Sequence, residues 1–232
     1  MTRLPFLVSV PHAGLAVPPE VEHLVAIGPE EVARDGDGQA AEIYLPLERR
    51  VAALVTTSMA RAFVDVNRSE DDRSPDGAIK TQTCFEVPVY TEPPSEELVA
   101  ELLARYHRPY HGRLSDLARH EACLGIDCHT MSEKAPPIAE RHGEERPSIC
   151  LSNAGVTCPD DWLNQLADCF QEAFSTSVTL NEPFRGGYIV RSHARELPWV
   201  QVELNRGDFA GVERKREGVL AALRAFAARI GA

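Results

Sequence analysis

Apolar runs rich in β-branched residues alternate along this chain with stretches of helical period, and no other feature constrains the fold as strongly. FLVSV (6–10), LVTTS (54–58), AFVDVNR (62–68), LGIDCHT (124–130), SICLSN (148–153) and WVQVELNR (199–206) have the length and residue types of strands. Helical period marks GQAAEIYLPLERRVAAL (38–54), where Pro46 kinks or splits the helix, and PSEELVAELLARYHRPYHGRLSDLARHEA (94–122). In the second of these, Ser95 followed by Glu96 and Glu97 suits the positive end of the helix dipole. DDWLNQLADCFQEAF (160–174) and a terminal stretch from about Gly211 to Ile230 complete the helices. Such alternation predicts an α/β fold with a mixed, mostly parallel central sheet flanked by helices. A chain of 232 residues accommodates it as one domain, residues 1–232.

The remaining composition narrows the setting. A formal net charge of −11 argues against a surface built to neutralise a phosphate backbone, so nucleic acid is not expected as a partner. The apolar run near the N-terminus is interrupted by Pro5 and Pro11 and is too short to span a membrane. The six cysteines contain no CxxC pair and no zinc-knuckle spacing, which points to a reducing cytoplasm. The stretch 69–94 is Pro-, Gly- and charge-rich without period and reads as a surface excursion able to carry substrate contacts, and 132–147 reads as a polar loop.

In mostly parallel sheets the binding crevice lies at the carboxyl ends of the strands. Four of the apolar runs end in chemically capable groups: His12 after FLVSV, Asn67 and Arg68 after AFVDV, Asp127 to His129 after LGI, and Glu203 to Arg206 after WVQV. Side-chain alternation separates the neighbours at 127–129. Asp127 and His129 share one face, while Cys128 turns the other way with Ile126 and reads as a small core residue. A Cys128–His129 nucleophile and base pair is therefore disfavoured. A lone strand-end histidine is more often structural than functional, but His12 and His129 together with a carboxylate make the usual protein set of a catalytic zinc. Asp37 and Asp35 of RDGDGQAAE are the acidic candidates, with Glu20 behind them and helix capping as the ordinary alternative for either aspartate. Glu203 lies in an apolar run and shares its face with Gln201 and Asn205. Such a carboxylate either pairs with Arg206 or Arg68 or serves as a base. Arg68 offers a planar fork for a carboxylate, or else pairs with Asp65 or an acid of the next loop. Gly186 and Gly187, beside Arg185 and between a turn and an expected strand, permit close backbone approach to a ligand.

Taken in order, VPHAG, DVNR, IDCHT, NEPFRGGYI and VQVELNR resemble the motif set of the N-formylglutamate amidohydrolase family, itself related to zinc carboxypeptidase and aspartoacylase-like hydrolases. The resemblance runs from residue 10 to residue 206. It implies a phosphorylase/hydrolase-like three-layer α/β sandwich and one zinc ion per chain. It further implies cleavage of the N-acyl, here N-formyl, amide of a small amino acid such as N-formyl-L-glutamate. Carried over residue by residue, it makes His12, Asp37 and His129 the metal ligands, with Asp35 as the alternative acid. Glu203 becomes the general base and acid. Arg68 grips the substrate α-carboxylate or polarises the scissile carbonyl, assisted by Asn67, with Arg185, Gly186 and Gly187 as further substrate contacts. Apart from the resemblance, Asp127, on the face of His129, reads as a carboxylate that orients an imidazole or pairs with a nearby arginine. His12 is followed by AGL and so lacks the His-x-x-Glu spacing of the zinc carboxypeptidases. Two alternatives accompany this reading: a zinc-dependent deacylase or carboxypeptidase-like enzyme acting on another N-acyl amino acid or small peptide, and a non-catalytic binder of acidic amino acids.

Overall fold

The computed structural model describes residues 3–119 and 122–231. Its strands are β1 (Leu4–Val10), β2 (Val51–Thr56), β3 (Leu124–Met131), β4 (Ile149–Ser152), β5 (Val178–Leu180) and β6 (Trp199–Asn205). The helices are α1 (Pro29–Asp35), α2 (Ala40–Tyr44), α3 (Glu96–Leu102), α4 (Arg108–Ala118), α5 (Asp160–Phe174), α6 (Tyr188–Ser192) and α7 (Val212–Ile230). All six strands form one sheet in the order β2-β1-β3-β6-β4-β5. β2, β1, β3 and β6 run parallel, while β4 is antiparallel to β6 and carries β5 parallel to itself. The sheet is thus mixed and mostly parallel, as the alternating pattern predicts. No helix among the described residues is long and apolar enough to cross a membrane.

Side-chain alternation divides the residues of the central strands between two cores. Phe6, Val8, Val10, Ile126, Cys128, Val200, Val202 and Leu204 enter the core shared with α2, α5 and α7. Leu7 and Trp199 belong to the opposite core, shared with α3, α4, α6 and the segment 60–90. On this second face the strands change character along their length. Their first halves carry Leu7, Gly125 and Trp199, whereas their second halves carry Ser9, Asp127, His129, Gln201, Glu203 and Asn205, all buried. The polar half of one face is where the site is built.

Several local expectations need correction. AFVDVNR is not a strand. Ala62, Phe63, Val64 and Val66 are at most 1% exposed, yet the chain turns there. Phe63 N–H and Val64 N–H both donate to Ala60 O, and the Asp65 carboxylate accepts Asn67 N–H at 2.8 Å. Burial, not sheet pairing, explains its apolar character. The helix expected over 38–54 ends at Tyr44, a 3-10 turn carries Pro46, and Val51–Thr56 is strand, so VAAL belongs to the sheet and Thr57 and Ser58 lie beyond it. The segment after Gly187 is helix α6 instead of a strand; Asn67 Oδ1 accepts Ile189 N–H at 2.8 Å, satisfying one of the amides that a helix start leaves free. α1 has no warning in the sequence pattern. The helix over 94–122 is capped by Ser95, whose hydroxyl accepts Leu98 N–H. It passes through a π turn (103–107) just before Pro109, which lacks an N–H, and ends at Ala118, short of the expected Ala122, which is not helical; residues 120 and 121 lie outside the described residues.

Trp199 is wholly buried and lies over Gly125 of the neighbouring strand, where any Cβ would enter the indole ring. Gly125→Ala is expected to lower stability by about 2–4 kcal/mol through overpacking at the root of β3 and β6. Chemical denaturation checks this, and an unchanged midpoint would show that the indole can shift freely.

Candidate active site

β1, β3 and the turn between α1 and α2 bring three side chains to one point. Ligand-capable atoms of His12, Asp37 and His129 all lie within 4.8 Å of one another, and all three residues are buried. His12 follows β1 directly, and its carbonyl accepts Asp37 N–H, which ties the two loops together. Asp37 Oδ2 lies 2.9 Å from His129 Nδ1 and 3.5 Å from His12 Nδ1, and accepts Thr130 N–H at 3.2 Å. Neither aspartate of RDGDG caps a helix: Asp35 is the last residue of α1, and the position before α2 is Gln39, with φ 70°.

Each imidazole is held from behind by a second carboxylate. His12 Nε2 lies 2.8 Å from Asp65 Oδ1, and His129 Nε2 lies 2.9 Å from Asp127 Oδ2. Ser9 donates to the other Asp127 oxygen at 2.8 Å. With Nε2 donating to these acids, the Nδ1 lone pairs turn toward Asp37. His12 Nδ1 is buried there without any hydrogen-bond partner. His129 has a carboxylate against both nitrogens, an arrangement that requires a doubly protonated ring in the absence of a metal. Burial opposes that charge, but Asp127 and Asp37 outweigh it and hold the His129 pKa well above the usual imidazole range. For Asp37, burial favours the neutral form, yet His12 and His129 hold the carboxyl well below its usual range. Asp65 behaves likewise under His12 and Arg61. An orphaned buried nitrogen, an ionised carboxylate and an imidazole proton in the place of a cation fit a divalent ion, and two histidines plus one aspartate is a donor set suited to zinc.

Glu203 stands opposite His129 in the β3–β6 register. It is 5% exposed and forms no ion pair among the described residues; Gln201 Nε2 donates to its Oε1 at 2.8 Å. Burial, countered in part by His129, pushes its pKa up to about 7. Gln201 also accepts Gly187 N–H, connecting the β6 stripe to the glycine pair. A Cβ at Gly187 would collide with the Asn67 side chain, and Gly186 has φ +83°, so both glycines are required for the close approach of this loop.

Arg68 pairs with Asp76, an acid of the following loop, through Nη2, and its Nε donates to Asp76 O at 2.9 Å. Asp65, the other sequence candidate for that pairing, binds His12 and Arg61 instead. Asp76 also meets Lys80 at 2.6 Å, and Lys80, with no exposed surface, meets Asp35 at 2.9 Å. That lysine explains why Asp35 stands apart from the histidines: its carboxylate is taken up by Lys80 and by Cys84 N–H. Glu20 lies elsewhere, bonded to Arg105 and Tyr106. Asn67 lines the pocket, 8% exposed, with Nδ2 3.2 Å from His129 Nε2.

His12, Asp35, Asp37, Asn67, His129 and Glu203 line a cavity of about 360 Å³ that also receives Phe85, Ile138, Phe184 and the arginines 34, 61, 68, 146, 185 and 206. Arg185 is on its rim. The sequence reading missed Arg61, which bridges Asp65 at 3.0 Å and Asp37 at 3.7 Å. An arginine four residues before Asp65 was the available signal. It also missed Arg146, for which the polar stretch 132–147 offers no signal.

Comparison with known proteins converges on one family. The family model described as N-formylglutamate amidohydrolase matches residues 4–209. An N-formylglutamate deformylase of Pseudomonas putida is 30% identical over 226 residues, covering 89% of this chain and 82% of the relative. One from Pseudomonas aeruginosa is 30% identical over 221 residues, covering 87% and 80%. Among solved structures, an N-formylglutamate amidohydrolase from Ralstonia eutropha superposes with a TM-score of 0.81 at 20% identity, covering 99% of this chain and 96% of that one. A gene product of Agrobacterium tumefaciens gives 0.72 at 18% identity, covering 97% and 88%. These two share the fold. The family match over most of the chain and the two curated relatives establish that the chain belongs to the N-formylglutamate amidohydrolase family, a hydrolase acting on an amide bond.

Proposed function

We propose that this protein cleaves the N-formyl amide of an acidic amino acid such as N-formyl-L-glutamate, releasing formate and the free amino acid, with one zinc ion held by His12, Asp37 and His129. The observation that carries the reading is the convergence of those three side chains, each imidazole backed by a carboxylate, with Glu203 facing His129 across the strand pair. A divalent ion bound there supplies Lewis acidity, lowering the pKa of water and polarising a carbonyl.

The remaining work falls to the chain's own groups. Glu203, with its carboxyl raised to about 7, suits both halves of the proton traffic. It takes a proton from the attacking water as oxygen bonds to the formyl carbon, and returns it to the amino-acid nitrogen as the carbon–nitrogen bond breaks. Gln201 holds the carboxylate in place. Arg61, locked between Asp65 and Asp37, keeps positive charge beside the position where carbonyl oxygen gains negative charge. In Arg68 the Asp76 contacts occupy Nε and Nη2, leaving Nη1 for the substrate α-carboxylate. Asn67 and the pair Gly186 and Gly187 set the wall beside it, and Arg185 adds positive charge at the rim. Six cysteines, all free thiols, suit a reducing cytoplasm.

The non-catalytic alternative has less support, because a carboxylate binder has no use for a buried, unpaired Glu203. Two tests separate these readings. Glu203→Gln is expected to keep one zinc per chain by metal analysis and to lower kcat for formate release by about 10²- to 10⁴-fold, whereas His129→Ala loses the zinc. Full zinc in His129→Ala, or wild-type kcat in Glu203→Gln, would remove the proposed roles. Separately, Arg68→Ala is expected to lower kcat/KM roughly 10- to 100-fold, and an N-formyl amine lacking the α-carboxylate should show no such loss. Equal losses on both substrates would place Arg68 at the scissile carbonyl instead.

A further inference from the structure

Within the cavity, the fixed positive charges are not equally neutralised. Of the arginines that line it, Arg61 has Asp65 and Asp37 and Arg68 has Asp76, with the buried Lys80 behind Asp76, while Arg34 and Arg185 are exposed to solvent. Arg146 is different. Among the described residues it forms no ion pair. Its Nη1 donates to the Ser132 hydroxyl at 3.3 Å, its guanidinium lies 4.9 Å above the Phe184 ring, and its buried Nε has no partner at all.

The backbone beneath Arg146 is fixed, so the side chain is placed by the fold. Arg146 N–H donates to Glu133 O at 2.8 Å, and the backbones of Lys134 and Glu145 form an antiparallel β-bridge across the base of the loop. The Asn205 amide at the end of β6 donates to both Arg146 O and Pro147 O at 3.1 Å. A half-buried guanidinium pays a desolvation cost that a carboxylate partner normally offsets. Here burial and the neighbouring Arg206 both act against the charge of Arg146, with Glu203 the principal group in its favour. Arg206 forms no ion pair among the described residues either, its Nη1 donating to Gly36 O at 2.9 Å. Both guanidiniums thus line the pocket without a carboxylate partner among the described residues, open to an anion.

A dicarboxylic N-acyl amino acid brings two negative charges, and Arg68 accounts for one. We infer that Arg146, with Arg206 beside it, receives the side-chain carboxylate of the substrate and makes the enzyme selective for an acidic amino acid over its neutral amide. This rests on the amidohydrolase reading above and deepens it. The planar fork of arginine suits a carboxylate, and the Phe184 ring on one side of it limits the orientations available. A neutral amide in the same place presents its NH2 to a guanidinium that can only donate, leaving buried donors unpaired.

The test compares N-formyl-L-glutamate with N-formyl-L-glutamine on the zinc-loaded protein, in wild type, Arg146→Met and Arg146→Lys. Thermal melting first confirms that each variant is folded. Wild type is expected to favour the glutamate compound. Arg146→Met should lower kcat/KM for it roughly 10- to 100-fold, chiefly through KM, while leaving the glutamine compound within about 3-fold. Arg146→Lys keeps the charge and should fall between. Equal losses on both substrates, or an unchanged preference in Arg146→Met, overturn the assignment. Calorimetric binding of the products, L-glutamate and L-glutamine, separates the two levels of the reading. If wild type releases no formate from either compound yet binds glutamate in an Arg146-dependent way, the amidohydrolase reading fails and the anion subsite stands. Glutamate binding indifferent to Arg146 removes the subsite whatever the turnover.

Discussion

Asp65 and Asp127, 1% and 0% exposed, bind the outer nitrogens of His12 and His129 and so decide where the inner nitrogens point. Without those two acids the imidazoles could rotate or take up the other tautomer, and the cluster with Asp37 would have no defined geometry. The acids are fixed in their turn by Ser9, Arg61 and Asn67 N–H. The orientation of the site is therefore set by the carboxylates behind the imidazoles, one on the polar half of a sheet face whose other half is apolar core and one in the turn before Asn67.

Burying this many charges is costly, and the molecule meets the cost by pairing them in chains. Arg68, Asp76, Lys80 and Asp35 form one run, with Arg61, Asp65 and His12 beside it. Removing one member would strand its neighbour in a low-dielectric interior, which makes each link rigid. Rigidity here serves positioning: Asp35 is separated from Asp37 only by Gly36, so the Lys80 contact that anchors the end of α1 also places Asp37. Glu203, Arg146 and Arg206 stand outside these chains, buried or half-buried without an ion pair among the described residues, and our proposals assign them to proton transfer and substrate selection.

Much of this was legible in the sequence. Period-two alternation over 127–129 and 201–205 assigned Asp127, His129, Gln201 and Glu203 to one face, and the structure has them there, with Cys128 in the opposite core beside Ile126. AFVDVNR shows the limit of such reasoning. Its residues are as apolar as a strand because they are buried, but Asp65 turns the chain through a side-chain bond to Asn67 N–H, and periodicity does not register that bond. Likewise the start of α6 is held by Asn67, more than a hundred residues away in the chain, which accepts the Ile189 N–H.

Alternation and order along the chain determined the layered α/β architecture, the face on which the polar residues gather and the strand ends where they emerge, since these depend only on local period and on the general behaviour of parallel sheets. Which aspartate of RDGDG joins the histidines was decided by tertiary structure, because it depends on Lys80 claiming Asp35 from 45 residues away. The same holds for the charge state of the cavity. Arg68 is neutralised and Arg146 is not, and that difference arises from which carboxylates the folded chain carries to each guanidinium, a long-range pairing that neither residue announces in its own neighbourhood.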